Sequence, residues 1–174
     1  GWSLRSQLAP GARCALEHGG AAPVIVGPDA DLSEIVPPLL KGGMYHAGQV
    51  CVSVQRIFAH ESLARTLAEA LADGAEKLIV GDPTRADTEV GPLIRPREVA
   101  RVHEWVTEAS DRGAEILSGG EPLDHNCYGP TVLYDPPDDV RMSRQEVFGP
   151  VICVYPYDDM DEAIERENSL PYAF

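Results

Sequence analysis

Lysine is nearly absent: Lys41 and Lys77 stand alone among twelve arginines, against 28 acidic residues and a net charge of −14. No basic cluster is dense enough to neutralise a run of phosphates, which excludes nucleic acid and anionic membrane surfaces as partners. No apolar run approaches the about 18 residues of a membrane-spanning helix. The opening GWSLRSQLAPGAR lacks the apolar stretch of a secretion signal. Cysteine is scarce as well, at 14, 51, 127 and 153, with no Cys-x-x-Cys pair and no histidine at zinc-ligand spacing. A disulfide framework and a metal site are therefore not expected. Reduced thiols make a cytoplasmic location the expectation. Glycine and proline together stay below the about 25–30% that marks low-complexity chains, which excludes disordered and collagen-like classes.

What is present is one domain's worth of chain. The 174 residues are 44% hydrophobic, and a chain of that size can bury a core. Short apolar runs alternate with helical periods. Residues 13–16, 23–26, 52–59, 114–117, 131–134 and 151–157 read as strands. Asp31 and Glu34 resemble a capping box opening a helix with Leu32, Ile35, Leu39 and Leu40 on its apolar face. Pro37 and Pro38 interrupt it, so the reading is either a kink there or a helix that starts at the prolines. Residues 61–78 and 97–112 carry leucine and valine at helical spacing, and Asp159 opens a last helix. The alternation predicts an α/β fold with a largely parallel sheet flanked by helices. The chain begins and stops without polar tails, and it is expected to be a piece of a longer polypeptide, truncated at both ends.

Chemistry concentrates in residues 42–56, GGMYHAGQVCVSVQR, where Cys51 stands at the junction of a helical run and a strand among small residues. The thiolate is the reactive form of cysteine and needs a lowered pKa or a neighbouring base. By residue type alone Cys51 can be inert packing or a nucleophile. Upstream lies Ala15-Leu16-Glu17-His18-Gly19-Gly20, and downstream Gln145-Glu146-Val147-Phe148-Gly149-Pro150. These three segments, together with DADLSE, VGDP, GPLI and GPTVLY in the same order, resemble the motifs of the aldehyde dehydrogenase superfamily over essentially the whole chain.

The resemblance implies an NAD(P)-dependent oxidoreductase. Cys51 would be its nucleophile and Glu17 its general base, while Glu146 and Phe148 would hold the nicotinamide ribose and ring of NAD or NADP. An aldehyde would add to the thiol as a thiohemiacetal, lose hydride to give a thioester, and be released by water as an acid. The resemblance also implies that residues 1–174 are the nucleophile-bearing catalytic domain. The dinucleotide-binding domain would be absent, since no G-x-G-x-x-G occurs. The isolated chain is expected to be folded, inactive and homo-oligomeric through exposed apolar surface. A coenzyme A-acylating relative, or a binding module that keeps the fold without turnover, are the alternatives. His18 departs from the leucine usual at that position. Cys14, Cys127 and Cys153 match no catalytic position and read as bystanders.

Overall fold

The computed structural model describes residues 1–172. Its strands are β1 (Pro23–Val26), β2 (Arg56–His60), β3 (Glu115–Ser118), β4 (Thr131–Tyr134) and β5 (Val151–Tyr157). Its helices are α1 (Trp2–Arg5), α2 (Leu32–Met44), α3 (Glu61–Ala75), α4 (Pro96–Asp111), α5 (Arg141–Arg144) and α6 (Met160–Glu167). The strands form one sheet in the order β1-β2-β5-β4-β3, parallel throughout except for the β3–β4 pair. The predicted class, α/β with a largely parallel sheet, is the one observed.

The core is densest where β2 and β5 run side by side. Ile57, Phe58, Ala59, Ile152, Val154 and Tyr155 are all buried there, as near-continuous apolar runs are when both faces of a strand are covered. Helix α3 packs across β2, β4 and β5, presenting Ala64, Leu67, Ala68 and Leu71 at helical spacing, each fully buried. Fully burying a leucine is worth about 1.5–3 kcal/mol, so this stripe fixes the helix against the sheet. Pro96 opens α4 and Gly113, at φ +114°, follows its end, the asymmetry expected from helix termini.

Several expectations need correction. Residues 13–16 form no strand: Arg13, Cys14 and Ala15 are exposed, and an extended run without a neighbouring strand has nothing to satisfy its backbone. Helix α2 starts at Leu32, ahead of the prolines, and runs unbroken through both, which lie on its exposed side. Each forfeits a helical hydrogen bond at a cost of about 3 kcal/mol. The helix persists because Asp31 caps it, accepting from Ser33 N–H at 2.8 Å, and because Leu39, Gly43 and Met44 are buried at its far end. Helix α3 stops at Ala75 rather than at 78, and β2 begins at Arg56 rather than at 52. Residues 52–55 are instead taken up by a turn and its anchors.

The topology has one consequence for chemistry. Gly20, Cys51 and Phe148 each lie a few residues before β1, β2 and β5, which are adjacent parallel strands. Parallel strands enter the sheet from the same edge, so segments up to 128 positions apart in sequence arrive together. They meet at the amino ends of the strands.

Candidate active site

Cys51 occupies a tight turn closed by Ser53 N–H donating to Val50 O at 2.9 Å. The Ser53 hydroxyl reaches back to the last carbonyls of α2, Gly42 O at 3.3 Å and Gly43 O at 3.2 Å, and Val54 N–H donates to Gly42 O at 3.1 Å. The turn is thus fastened to the carboxyl end of α2, whose terminal carbonyls need such donors. Cys51 itself is half-buried. Its backbone N–H meets no acceptor among the described residues. Gln49 holds the other side: its Nε2 donates to His46 O and Pro92 O, and its Oε1 accepts from Ile94 N–H at 3.0 Å.

Ahead of the turn the backbone is unusual. His46 and Ala47 have φ of 51° and 53°, and Gly48 has φ +68°. A β-carbon on Gly48 would lie 2.0 Å from Gly149 O. Only glycine therefore allows the cysteine segment and the Phe148 segment to touch backbone to backbone. Phe148 is also left-handed, at φ 49°, and is 40% exposed. It borders both a narrow cleft with Gly20, Val50, Ser53, Gln55 and Glu146, and an open hollow of about 740 Å³ with His46, Gln49, Val50 and Pro92. A bulky aromatic in that conformation is rare and marks a constrained segment.

The Glu146 carboxylate ties the first motif to the third. Its Oε1 accepts from Gly20 N–H at 3.0 Å, and its Oε2 lies 3.0 Å from where a β-carbon on Gly19 would sit. The double glycine is a cradle that lets a carboxylate approach the backbone. The run carrying Gly20 is pinned again by Arg56. That side chain is buried and donates through Nε to Ala21 O at 3.2 Å and through Nη2 to Glu167 O, at the end of α6, at 3.1 Å. Burial pushes its pKa down from the ordinary value. Arg56 thus serves backbone carbonyls from the Gly20 run and from α6.

The structure gathers the Cys51 turn, Glu146, Phe148 and Gly20 at one sheet edge. Glu17 is exposed, on the irregular run three residues before Gly20. That tether keeps it within about 11 Å of Gly20 along the chain. His18 is exposed, and its ring lies 5.5 Å from that of Trp2. Of the other thiols, Cys127 and Cys153 are buried, and burial pushes Cys153 up to about 12. Cys14 is exposed. Sequence reading passed over Gln55, although an amide entering an apolar strand is a signal in itself, because buried polar groups need partners.

A largely parallel α/β sheet thus carries a thiol, a carboxylate and a half-exposed aromatic on segments that enter it from one edge. Residues 3–174 match the aldehyde dehydrogenase family, and the chain belongs to that family. It is 41% identical over 160 residues to a 3-sulfolactaldehyde dehydrogenase of Priestia megaterium, covering 92% of this chain and 33% of the relative. It is 40% identical over 160 residues to an NAD⁺-dependent benzaldehyde dehydrogenase of Pseudomonas putida, with the same coverage of each chain. Among solved structures, aldehyde dehydrogenase 21 of Physcomitrella patens, in complex with its reaction product succinate, aligns with a TM-score of 0.90 at 34% identity, covering 99% of this chain and 36% of that one. A betaine aldehyde dehydrogenase of Staphylococcus aureus in complex with NAD⁺ aligns with a TM-score of 0.83 at 34% identity, covering 88% and 32%. The chain spans about a third of the length of the curated relatives it matches.

Proposed function

We propose that this chain carries the nucleophile, the base and the nicotinamide-side residues of an enzyme that oxidises a small aldehyde to a carboxylic acid with NAD⁺ or NADP⁺. The reading is carried by one observation: the Cys51 turn, Glu146 and Phe148 share one sheet edge, with the Gly20–Glu146 hydrogen bond joining the first motif to the third. The Cys51 thiolate attacks the carbonyl carbon; a C–S bond forms and the carbonyl pair moves to oxygen. The Cys51 N–H, which meets no acceptor in its turn, donates to that oxyanion. A bound nicotinamide supplies the hydride acceptor for the oxidation step.

The residues present fit such a group. Glu146 has one oxygen engaged by Gly20, leaving the second to accept from ribose hydroxyls, and Phe148 offers a half-exposed ring at the border of the open hollow. After oxidation the acyl group remains on Cys51 as a thioester. Glu17 takes a proton from water, the water oxygen attacks the acyl carbon, and the C–S bond breaks to return the thiolate. Transfer to the thiol of coenzyme A would not need that base, so Glu17 favours hydrolysis. In this reading the protein self-associates as a homo-oligomer. Among the described residues no helix is long and apolar enough to cross a membrane.

The test is made on the full-length gene product. Cys51→Ser should abolish aldehyde-dependent NAD(P)H formation. Glu17→Gln should give a burst of NAD(P)H and then a steady rate lower by about 10²–10⁴-fold. An active Cys51→Ser variant would refute the reading, and an unchanged steady rate in Glu17→Gln would refute the role of the base.

A further inference from the structure

We propose that Gln55 is a positioning residue that holds Glu146 and Phe148 in register with Cys51. The proposal rests on the reading of those three residues given above. Gln55 stands four residues after Cys51, immediately before β2, and is only 5% exposed. Its Nε2 donates to Met142 O at 3.1 Å and to Gln145 O at 2.7 Å, and its Oε1 accepts from Val147 N–H at 2.8 Å. The Gln145 carbonyl and the Val147 N–H belong to the two peptide groups on either side of Glu146. One amide therefore grips both peptide planes that aim the Glu146 side chain.

The backbone of Gln55 is committed as well. Its N–H donates to Ala22 O at 3.3 Å, and its carbonyl accepts from Cys153 N–H in β5 at 2.8 Å. Gln55 thus has no freedom to follow the 142–147 segment; that segment must follow Gln55. Phe148 comes one residue after the gripped Val147 and holds a left-handed conformation that a bulky side chain does not choose unaided. The grip supplies the constraint that keeps it there.

The chemistry of the site selects an amide. Two carbonyls and one N–H face the side chain, and only glutamine at this reach offers two donors and one acceptor together. A carboxylate keeps the contact with Val147 N–H but turns its oxygens on two carbonyls. A protonated carboxyl recovers one donor. Methionine fills the volume and leaves all three groups unpaired.

The experiment compares wild type, Gln55→Met and Gln55→Glu in the full-length gene product. Four quantities are read: Cys51 alkylation by iodoacetamide, with Cys14 replaced by serine; NAD⁺ and NADP⁺ affinity by titration calorimetry; KM for the cofactor; and single-turnover hydride transfer. Gln55→Met should weaken cofactor affinity by about tenfold and slow hydride transfer by about 10–10²-fold, as expected for a misplaced reacting group. Alkylation of Cys51 should stay within about twofold, because the turn has its own anchors at Gly42 and Gly43. Gln55→Glu should show the same defect at neutral pH and recover toward wild type below about pH 6, where a buried carboxyl takes up its proton.

Wild-type affinity and hydride transfer in Gln55→Met overturn the proposal. So does an equal loss of alkylation, affinity and turnover in Gln55→Glu with no recovery at low pH. If Gln55→Met fails to fold, the pH profile of Gln55→Glu alone decides. The underlying reading fails differently: a wild-type protein without aldehyde-dependent NAD(P)H formation, or an active Cys51→Ser variant, removes it and this proposal with it, whatever the Gln55 variants do.

Discussion

Gly48→Ala is the sharpest probe of how the cysteine segment and the Phe148 segment fit together. The added β-carbon would lie 2.0 Å from Gly149 O and 2.5 Å from Gly149 C, whereas real contacts of this kind stay beyond 3.0 Å. Both partners are backbone, so no side chain can swing aside, and the two segments must part by at least the missing 1 Å. The left-handed conformation at φ +68° adds about 1–2 kcal/mol for any residue with a β-carbon. Overpacking of this kind costs a further 1–3 kcal/mol or so. The sum, about 2–5 kcal/mol, lowers Tm by roughly 4–20 °C in a chain of this size. Gly113→Ala is the control, because Gly113 also has positive φ, at +114°, but nothing lies within 4 Å of its added carbon. It should lose only a conformational part, with no cost from overpacking. In the full-length gene product Gly48→Ala should also slow hydride transfer by about 10²-fold, the consequence of a 1 Å misplacement near reacting atoms. Thermal melts and single-turnover kinetics on the two variants read both effects. Equal melting losses with unchanged hydride transfer in Gly48→Ala would show that the close crossing is not what sets the site.

Two further outcomes follow from other residues. Glu146→Gln should leave Cys51 alkylation unchanged but weaken NAD(P)⁺ binding and slow single-turnover hydride transfer; an unaffected transfer rate would make Glu146 a structural residue only. Cys153 has its thiol pKa raised by burial from the ordinary 9.0 to about 12, so the folded state holds a proton that the unfolded chain gives up. The stability it contributes is complete below pH 9.0 and is lost as pH climbs toward 12. Chemical denaturation across that range should show a falling limb from about pH 9 in wild type, starting nearer the tyrosine range in Cys153→Ala; a limb that does not move assigns the loss to other groups.

The sheet was largely legible in the sequence because its strands announce themselves. VICVYPY is apolar and β-branched, and it became the buried centre of the fold. The helices were legible from spacing and from Asp31, Pro96 and Asp159 at their starts. Residues 13–16 misled because short apolar runs do not reveal whether a neighbour exists to pair with. Val52–Gln55 misled for the opposite reason: their strand-like pattern serves a turn whose partners lie in α2 and in the 142–147 segment. Of the candidate site, the three motifs stood out through the family resemblance, and the contacts that fasten them to one another did not. The bond from Gly20 to Glu146 spans 126 positions and that from Gln55 to Val147 spans 92. Such pairings belong to topology, which no local window contains.

The entry of β1, β2 and β5 from one edge gives the sheet the role of a ruler. The spacers between the site and its strands are only Ala21–Ala22, Val52–Gln55 and Gly149–Pro150. Loops this short have little slack, so the separation of the thiol from the carboxylate is inherited from strand register. Sliding β5 one residue past β2 would turn every side chain to the opposite face and dismantle the constellation at the same stroke. Assembly of the candidate site is therefore tied to folding of the sheet. Any state in which β2 and β5 come apart has lost the site as well as the core.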